Sequence, residues 1–570
     1  MPIRAIPPAL VLAALTTAAL AGPALAGRGG DGDLRVLYWQ APTVLNPYLS
    51  TGSKDVDPAS MVIEPLALVA PDGSLSPVLA AAIPSLENGG IAADYTSVTW
   101  RLKPGLVWSD GSPVTAEDVK FTAEYCMDPG FGCAVLQEFE GITSVEALDD
   151  LTVRLNFSAP KYAPLQAFVG GRTPILQKAQ FAACKGAAGV SCTAQNFGPI
   201  GTGPYRVTDF RPGDLAQFAI NPTYRDAAKP AFDRVTVKGG GDAMAAARAV
   251  LESAEVDFAW NLQLPPESVA AMEAAGKGRV VASFGSMVER IDLNQTDPSP
   301  DLPEGERATV KFPHPFLTDP AVRKALSMAI DRQVIAELAY GPAGRPTCTI
   351  TPVPAGYAPA AQDCLTQDLD GARAVLERAG WLPGPDGVRQ KDGQRLSMLL
   401  QTTVNPVRQD EQALIKQWWS EIGVETELKA VDGASFFGAD PGNPDSQARF
   451  QADAEMYTDA YYLPDPASFL SKFTCARIPS PATQWQGNNT PRFCDADYDA
   501  GITALHATAD IARRQEIAKQ LEARLIGDGH YALPLIHRGM VSAHVNTLAG
   551  ILPNGWEGQL WNVADWSRTK

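Results

Sequence analysis

Apolar and polar positions alternate along this chain in short stretches and then regroup at helical spacing, again and again. Leu34 to Trp39 reads as a first strand behind the polar leader Gly27 to Asp33. Ser97 to Leu102 alternates as another strand and ends at the turn Lys103-Pro104-Gly105. Thr115 can cap the helix that follows, with Asp118 at its third position reaching back to the free N–H groups and Val119, Phe121 and Thr122 opening the apolar side. Asp319-Pro320 repeats the device, followed by Val322, Ala325, Leu326, Ala329 and Ile330 at helical spacing. Asp331 restarts a helix in which Val334, Ile335 and Leu338 are expected in the core and Gly341 is the stop.

Leu414, Ile415, Trp418, Trp419 and Ile422 make one apolar face, Gly423 ends it, and Val424 to Val431 alternates as a half-buried strand. Ile517, Leu521 and Leu525 mark a last amphipathic helix before the strand-like Ala532 to Val545. Strands and helices mix throughout, without a repeat at solenoid spacing and without a low-complexity linker, which predicts an α/β protein of more than one domain.

The first residues change the compartment. Arg4, the apolar run Ala9 to Ala21 and the small residues Ala24-Leu25-Ala26 before Gly27 have the order of a secretory signal peptide, residues 1–26. Pro7, Pro8 and Pro23 bracket an apolar stretch shorter than the about 20 residues a membrane-spanning helix needs. The protein is therefore expected to be exported, soluble and periplasmic. A net charge of −17 argues against a nucleic-acid surface. In an oxidising compartment the eight cysteines read as local disulfides between sequence neighbours: Cys126 with Cys133, Cys184 with Cys192, Cys348 with Cys364, and Cys475 with Cys494.

Catalytic motifs are missing: the sequence has no G-x-S-x-G, no H-E-x-x-H and no G-x-x-x-x-G-K-[ST]. The glycines of Gly198-Pro-Ile-Gly-Thr-Gly-Pro-Tyr205 form a turn, because Pro204 and the strand-like Tyr205 to Phe210 leave no room for the helix of a dinucleotide site. His530, His537 and His544 recur every seven residues, but on a strand an odd spacing sends successive side chains to opposite faces, so no shared metal site is expected. The cluster Tyr457, Asp459, Tyr461, Tyr462 and Asp465 is the candidate ligand site, since tyrosines offer flat apolar area with a hydrogen-bonding tip. Its alternative is a strand end that runs into a loop at Pro464 and Pro466.

Several segments together resemble the family 5 extracellular solute-binding proteins, the dipeptide, oligopeptide and nickel binders of ABC importers. The most specific is Trp100 to Thr122, with Asp110-Gly111 and Thr115-Ala116-Glu117-Asp118-Val119. Gly201-Thr-Gly-Pro-Tyr205 with Asn221 and Tyr224, Val256-Asp257-Phe258, and Phe316 to Gly341 with Asp319, Arg323, Asp331 and Arg332 follow in family order. Ala379-Gly380-Trp381, Glu421 to Val424, Pro464-Asp465-Pro466, Arg514 and Leu533-Pro534-Leu535 complete the series.

The resemblance implies a two-lobe periplasmic-binding-protein fold (type II, cluster C-like) with an extra domain inserted in the N-terminal lobe. Residues 34–63, 197–289 and 531–570 would form the first lobe, 64–196 the insert and 290–530 the second lobe. It implies a monomer without cofactor that closes on a short peptide or other small solute and delivers it to an ABC permease. Two positions depart from the peptide binders: Tyr462 stands where their aspartate holds the peptide α-amino group, and Met456 where they carry an arginine. A non-peptide solute (a sugar conjugate, an opine or a metal chelate) and an exported peptidase are the alternatives.

Overall fold

The computed structural model describes residues 27–50, 52–303, 305–359, 363–438 and 442–569, so the expected signal peptide lies outside the described residues. Eleven strands form the main sheet: β1 (Asp33–Tyr38), β2 (Tyr205–Arg211), β3 (Leu215–Ile220), β4 (Arg234–Gly239), β5 (Phe258–Ala259), β6 (Gly278–Leu293), β7 (Gly344–Pro346), β8 (Ser397–Thr403), β9 (Glu425–Val431), β10 (Ala454–Asp459) and β11 (Ala532–Val545). They run in the order β9-β8-β10-β6-β11-β5-β1-β4-β3-β2, with β7 paired to β11.

The long antiparallel strands β6 and β11 join the two ends of the sheet. Toward one end β11 takes β5, with Phe258 opposite His544. Toward the other β6 takes β10, from Val288 opposite Asp459 to Leu293 opposite Ala454. Between these ends the β6–β11 ladder breaks twice, between Phe284 and Val288 and between Glu289 and Arg290. The second break falls beside Pro534, which has no N–H to give to the ladder.

The local signals in the sequence act as written. Asp118 accepts from the Thr115 N–H at 2.9 Å to start the helix Ala116–Met127, and its other oxygen accepts from the Lys178 N–H at 2.9 Å. That helix packs on a separate three-stranded sheet, Ser97–Arg101, Thr152–Phe157 and Ile142–Asp149. Asp319 caps Pro320–Met328, and Asn405 caps Pro406–Glu421. In the latter, Ile415, Trp418, Trp419 and Ile422 enter a core shared with Leu326, Met456 and Leu533, and the Trp419 indole N–H donates to the Leu326 carbonyl at 3.0 Å.

One expectation fails here. Leu338 is 61% exposed, because the helix begun at Arg332 widens into a π turn over Ala336–Tyr340 and the extra residue rotates the apolar face onto Ala339.

The cysteines bond as sequence neighbours, Cys126–Cys133, Cys184–Cys192, Cys348–Cys364 and Cys475–Cys494. The glycine turn fastens the start of β2 to the chain just after the helix Ser53–Ser60. Gly203 N–H donates to Val62 O at 2.8 Å and Tyr205 N–H to Met61 O at 3.1 Å. A Cβ on Gly201 would lie 1.8 Å from the Val62 carbonyl oxygen. Gly201→Ala is therefore expected to cost about 1–3 kcal/mol in urea unfolding, whereas Gly305→Ala, with nothing within 4 Å of the added carbon, should be close to neutral.

Candidate ligand-binding cleft

Strand β8 lies parallel to both β9 and β10, so all three strands end on the same edge of the sheet, the edge where α/β proteins place ligands. Strand β10 runs out of this edge at Asp459, and the chain continues through Tyr461, Tyr462 and Asp465 into the short helix Ala467–Leu470.

The five candidate residues separate into two groups. Tyr457 is buried, donates to Asp292 Oδ2 at 2.5 Å and accepts from Arg290 Nη2 at 2.9 Å. Tyr461 is buried too, its ring against Phe469 and Trp556, its hydroxyl on the Val353 carbonyl and its N–H on Ser286 Oγ at 2.9 Å. Asp465 pairs with Arg514, at 2.6 Å from Nη2 and 2.8 Å from Nε, and caps the helix by accepting from the Ala467 N–H. Asp465 keeps some solvent contact, as do Asp459 and Tyr462. The Asp459 carboxylate lies 3.1 Å from both Arg290 Nη1 and Lys472 Nζ. Tyr462 is half-exposed, with the Arg172 guanidinium 4.3 Å from its ring centre.

Arg172 belongs to the segment preceding the glycine turn, so a second wall faces the first. The walls touch at Arg477 Nη2 and Glu140 Oε1, 2.8 Å apart, and at Asn488 Nδ2 and Gln137 Oε1, 3.3 Å apart. Behind these contacts stand Glu138, Lys161 and Arg172 on one side and Asp459, Lys472 and His506 on the other. Each has partial solvent contact. Burial nevertheless pushes Glu138 up against the pull of Arg172, Lys161 and Lys472, pulls the Lys161 ammonium down to about 8 and lowers His506. Glu138 thus feels cations from both walls, Arg172 and Lys161 on its own side and Lys472 on the other.

Lys472, Arg172, Lys161 and Glu138 come from distant segments and carry no local signal in the sequence. The three histidines spaced by seven sit against separate backbone carbonyls: His530 beside Asp528, His537 on Gly285 and His544 on Val545. Among the described residues no group of three or more His, Cys, Asp or Glu side chains is arranged to hold a metal ion.

Two walls thus face one another across charged side chains at the carboxyl edge of the sheet. The sequence model of the bacterial extracellular solute-binding proteins, family 5, matches residues 75–478, and the chain belongs to that family. It is 27% identical to Protein XP55 of Streptomyces lividans over 562 residues, 98% of this chain and 92% of that one. It is 23% identical to the glutathione-binding protein GsiB of Salmonella paratyphi A, covering 96% of each. The oligopeptide-binding protein AppA of Bacillus subtilis, solved with a nonapeptide, superposes with a TM-score of 0.77 at 22% identity, covering 96% of this chain and all of that one. The fold expected from the sequence is thereby met. Among the described residues no helix is long and apolar enough to cross a membrane.

Burial pushes the Asp459 carboxyl up, but Lys472 and Arg290 outweigh it and hold it at about 2. A carboxyl depressed in the folded state contributes stability above its unfolded pKa and loses it as the pH falls toward the folded value. Asp459→Asn should lower stability at pH 7 by about 2 kcal/mol. Its difference from the parent in urea midpoint should shrink as the pH falls from about 4 to about 2.

Proposed function

We propose that the chain captures a short peptide, or a comparably small polar solute, in this cleft outside the cytoplasmic membrane and delivers it to an ABC permease without altering it. The observation that carries the reading is that Asp459, Tyr462 and Lys472 on one wall face Glu138 and Arg172 on the other. Membership of the family and the peptide and glutathione named for its relatives support it. In this reading residues 34–63, 197–289 and 531–570 form one lobe, 64–196 its insert and 290–530 the other lobe. The ends of the sheet on either side of β6 and β11 support that division.

Residues 1–26 act as the export signal, and the mature protein works as a periplasmic monomer. Asp459 and Tyr462 are the side chains of the candidate cluster that meet the solute; Tyr457, Tyr461 and Asp465 hold the wall in shape.

Mass spectrometry of small molecules released by denaturing the protein purified from the periplasm is expected to yield a short peptide that raises the melting temperature when added back. At a hundredfold excess over Kd, a ligand bound only by the folded state adds about 2.7 kcal/mol. A released sugar conjugate, opine or metal chelate would overturn the peptide assignment, and cleavage of the added peptide would overturn the assignment as a binder.

A further inference from the structure

Two buried groups of opposite charge, each short of a partner, stand at the joint between the two ends of the sheet. In the β6–β11 ladder Gly539 lies opposite Phe284 and His537 opposite Val288, so Arg538 falls at the first break and has no opposite residue on β6. Its side chain is buried, Nη1 donates to the Thr458 hydroxyl at 3.2 Å, and Nε meets no protein acceptor. Glu411, on the helix Pro406–Glu421, is fully buried; Oε1 accepts from the Tyr340 hydroxyl at 2.8 Å, and Oε2 meets no protein donor.

The two belong to one cluster. Thr458 donates to Glu289 Oε2 as well as meeting Arg538, and the Tyr340 hydroxyl lies 3.5 Å from that same oxygen. The charged and titratable groups around Glu411 are Glu289, Tyr340, Arg408 and Arg538. Arg408 is already committed, to Glu289 at 2.7 and 3.2 Å, to Thr403 at 2.7 Å and to Thr458 at 3.1 Å. Glu411, without a cation of its own, is pushed by burial and by Glu289 up to about 8.

What turns Arg538 away comes from the other end of the sheet. The amide of Gln263, in the segment following β5, lies 2.9 Å from Arg538 Nη2 and 3.0 Å from Nη1, and 2.6 Å from Asn405 Nδ2 at the start of Pro406–Glu421. Three residues on, Pro266 packs against Gly341, where an added Cβ would stand 2.7 Å from the proline Cβ. Gln263 and Pro266 are thus points at which the β5 end of the sheet touches the end that carries β8, β9 and β10.

A buried donor and a buried acceptor left unmet in one cluster are unfavourable, and a guanidinium bonds a carboxylate more strongly than a neutral amide. We infer that Arg538 is a two-position switch: it turns to Gln263 when the two ends of the sheet close on one another, and pairs with Glu411 when they part. Rotation about its side-chain bonds carries the guanidinium between the two partners. The parted form holds the stronger pair, so the empty protein rests open, and the solute has to outweigh that pair to close it.

The inference rests on the reading that the two ends close on a solute. Its test is small-angle X-ray scattering of the intact mature protein stripped of bound ligand. The parent should be more extended than the closed structure. Glu411→Gln, which removes the partner of the parted form, should shift the radius of gyration down to the value calculated for the closed structure. Gln263→Glu, which gives Arg538 a charged partner in the closed form, should do the same and reads the switch if Glu411→Gln does not fold; Gln263→Ala should stay as extended as the parent. A parent already as compact as the closed structure, a folded Glu411→Gln or Gln263→Glu that scatters like the parent, or a compact Gln263→Ala would overturn the switch. No solute enters this experiment, so its failure leaves solute capture standing, and the molecules released on denaturation test capture separately.

Discussion

The pairing of β6 with β11 is the constraint on which everything else in the molecule depends. These strands carry neighbours toward both ends of the sheet, and the register of β6 sets where its side chains meet β10. Arg290 shows what that register controls. Its guanidinium is fully buried and is held by Asp292, by the Tyr457 hydroxyl and by Asp459 at once. A slip of one residue would turn Arg290 and Asp292 together to the opposite face and strand the two partners on β10, Tyr457 and Asp459. A buried cation with satisfied partners fixes geometry even where its net contribution to stability is small. Here the geometry it fixes is the position of Asp459 at the mouth of the cleft.

A second buried network stands beside the break in the ladder. Glu289 is gripped by Arg408 at 2.7 Å and by Thr458, while Arg538 of β11 reaches Thr458 at 3.2 Å. Tyr340 donates to Glu411 at 2.8 Å, and burial together with Glu289 pushes the Glu411 carboxyl up to about 8. The helix Pro406–Glu421, β6, β10 and β11 are thus tied by charged groups at the place where the ladder is least regular.

Much of the fold was legible because its signals are local. The Thr115 and Asp118 cap, the Asp319-Pro320 start and the tryptophan face of Pro406–Glu421 each depend on residues within a few positions of one another. Leu338 was misread because a π turn shifts the helical phase, and nothing in its own spacing announces that. The candidate site was legible on one wall only. The tyrosine and aspartate cluster drew attention by composition, yet what separates Tyr457 from Tyr462 is a partner far away in sequence: Asp292 for the first, Arg172 for the second. The opposing wall, with Glu138, Lys161 and Arg172, was invisible because only folding brings it to the cleft.

The four disulfides close loops of 7, 8, 16 and 19 residues, and each stays on its own side of the cleft. The side-chain contacts that bridge the mouth of the cleft are of a different kind: an ion pair whose Glu140 side chain is 63% exposed, one hydrogen bond between amides, and the Arg172 guanidinium over the half-exposed Tyr462 ring. Exposed pairs of this sort are worth about 0–1 kcal/mol. Each wall is covalently stiffened, while the seam at the rim is held by weak, exposed contacts alone. In the proposed role, a solute held between the walls would supply the free energy that seals the mouth, and a membrane partner that recognises the sealed outline would thereby be told that the container is full.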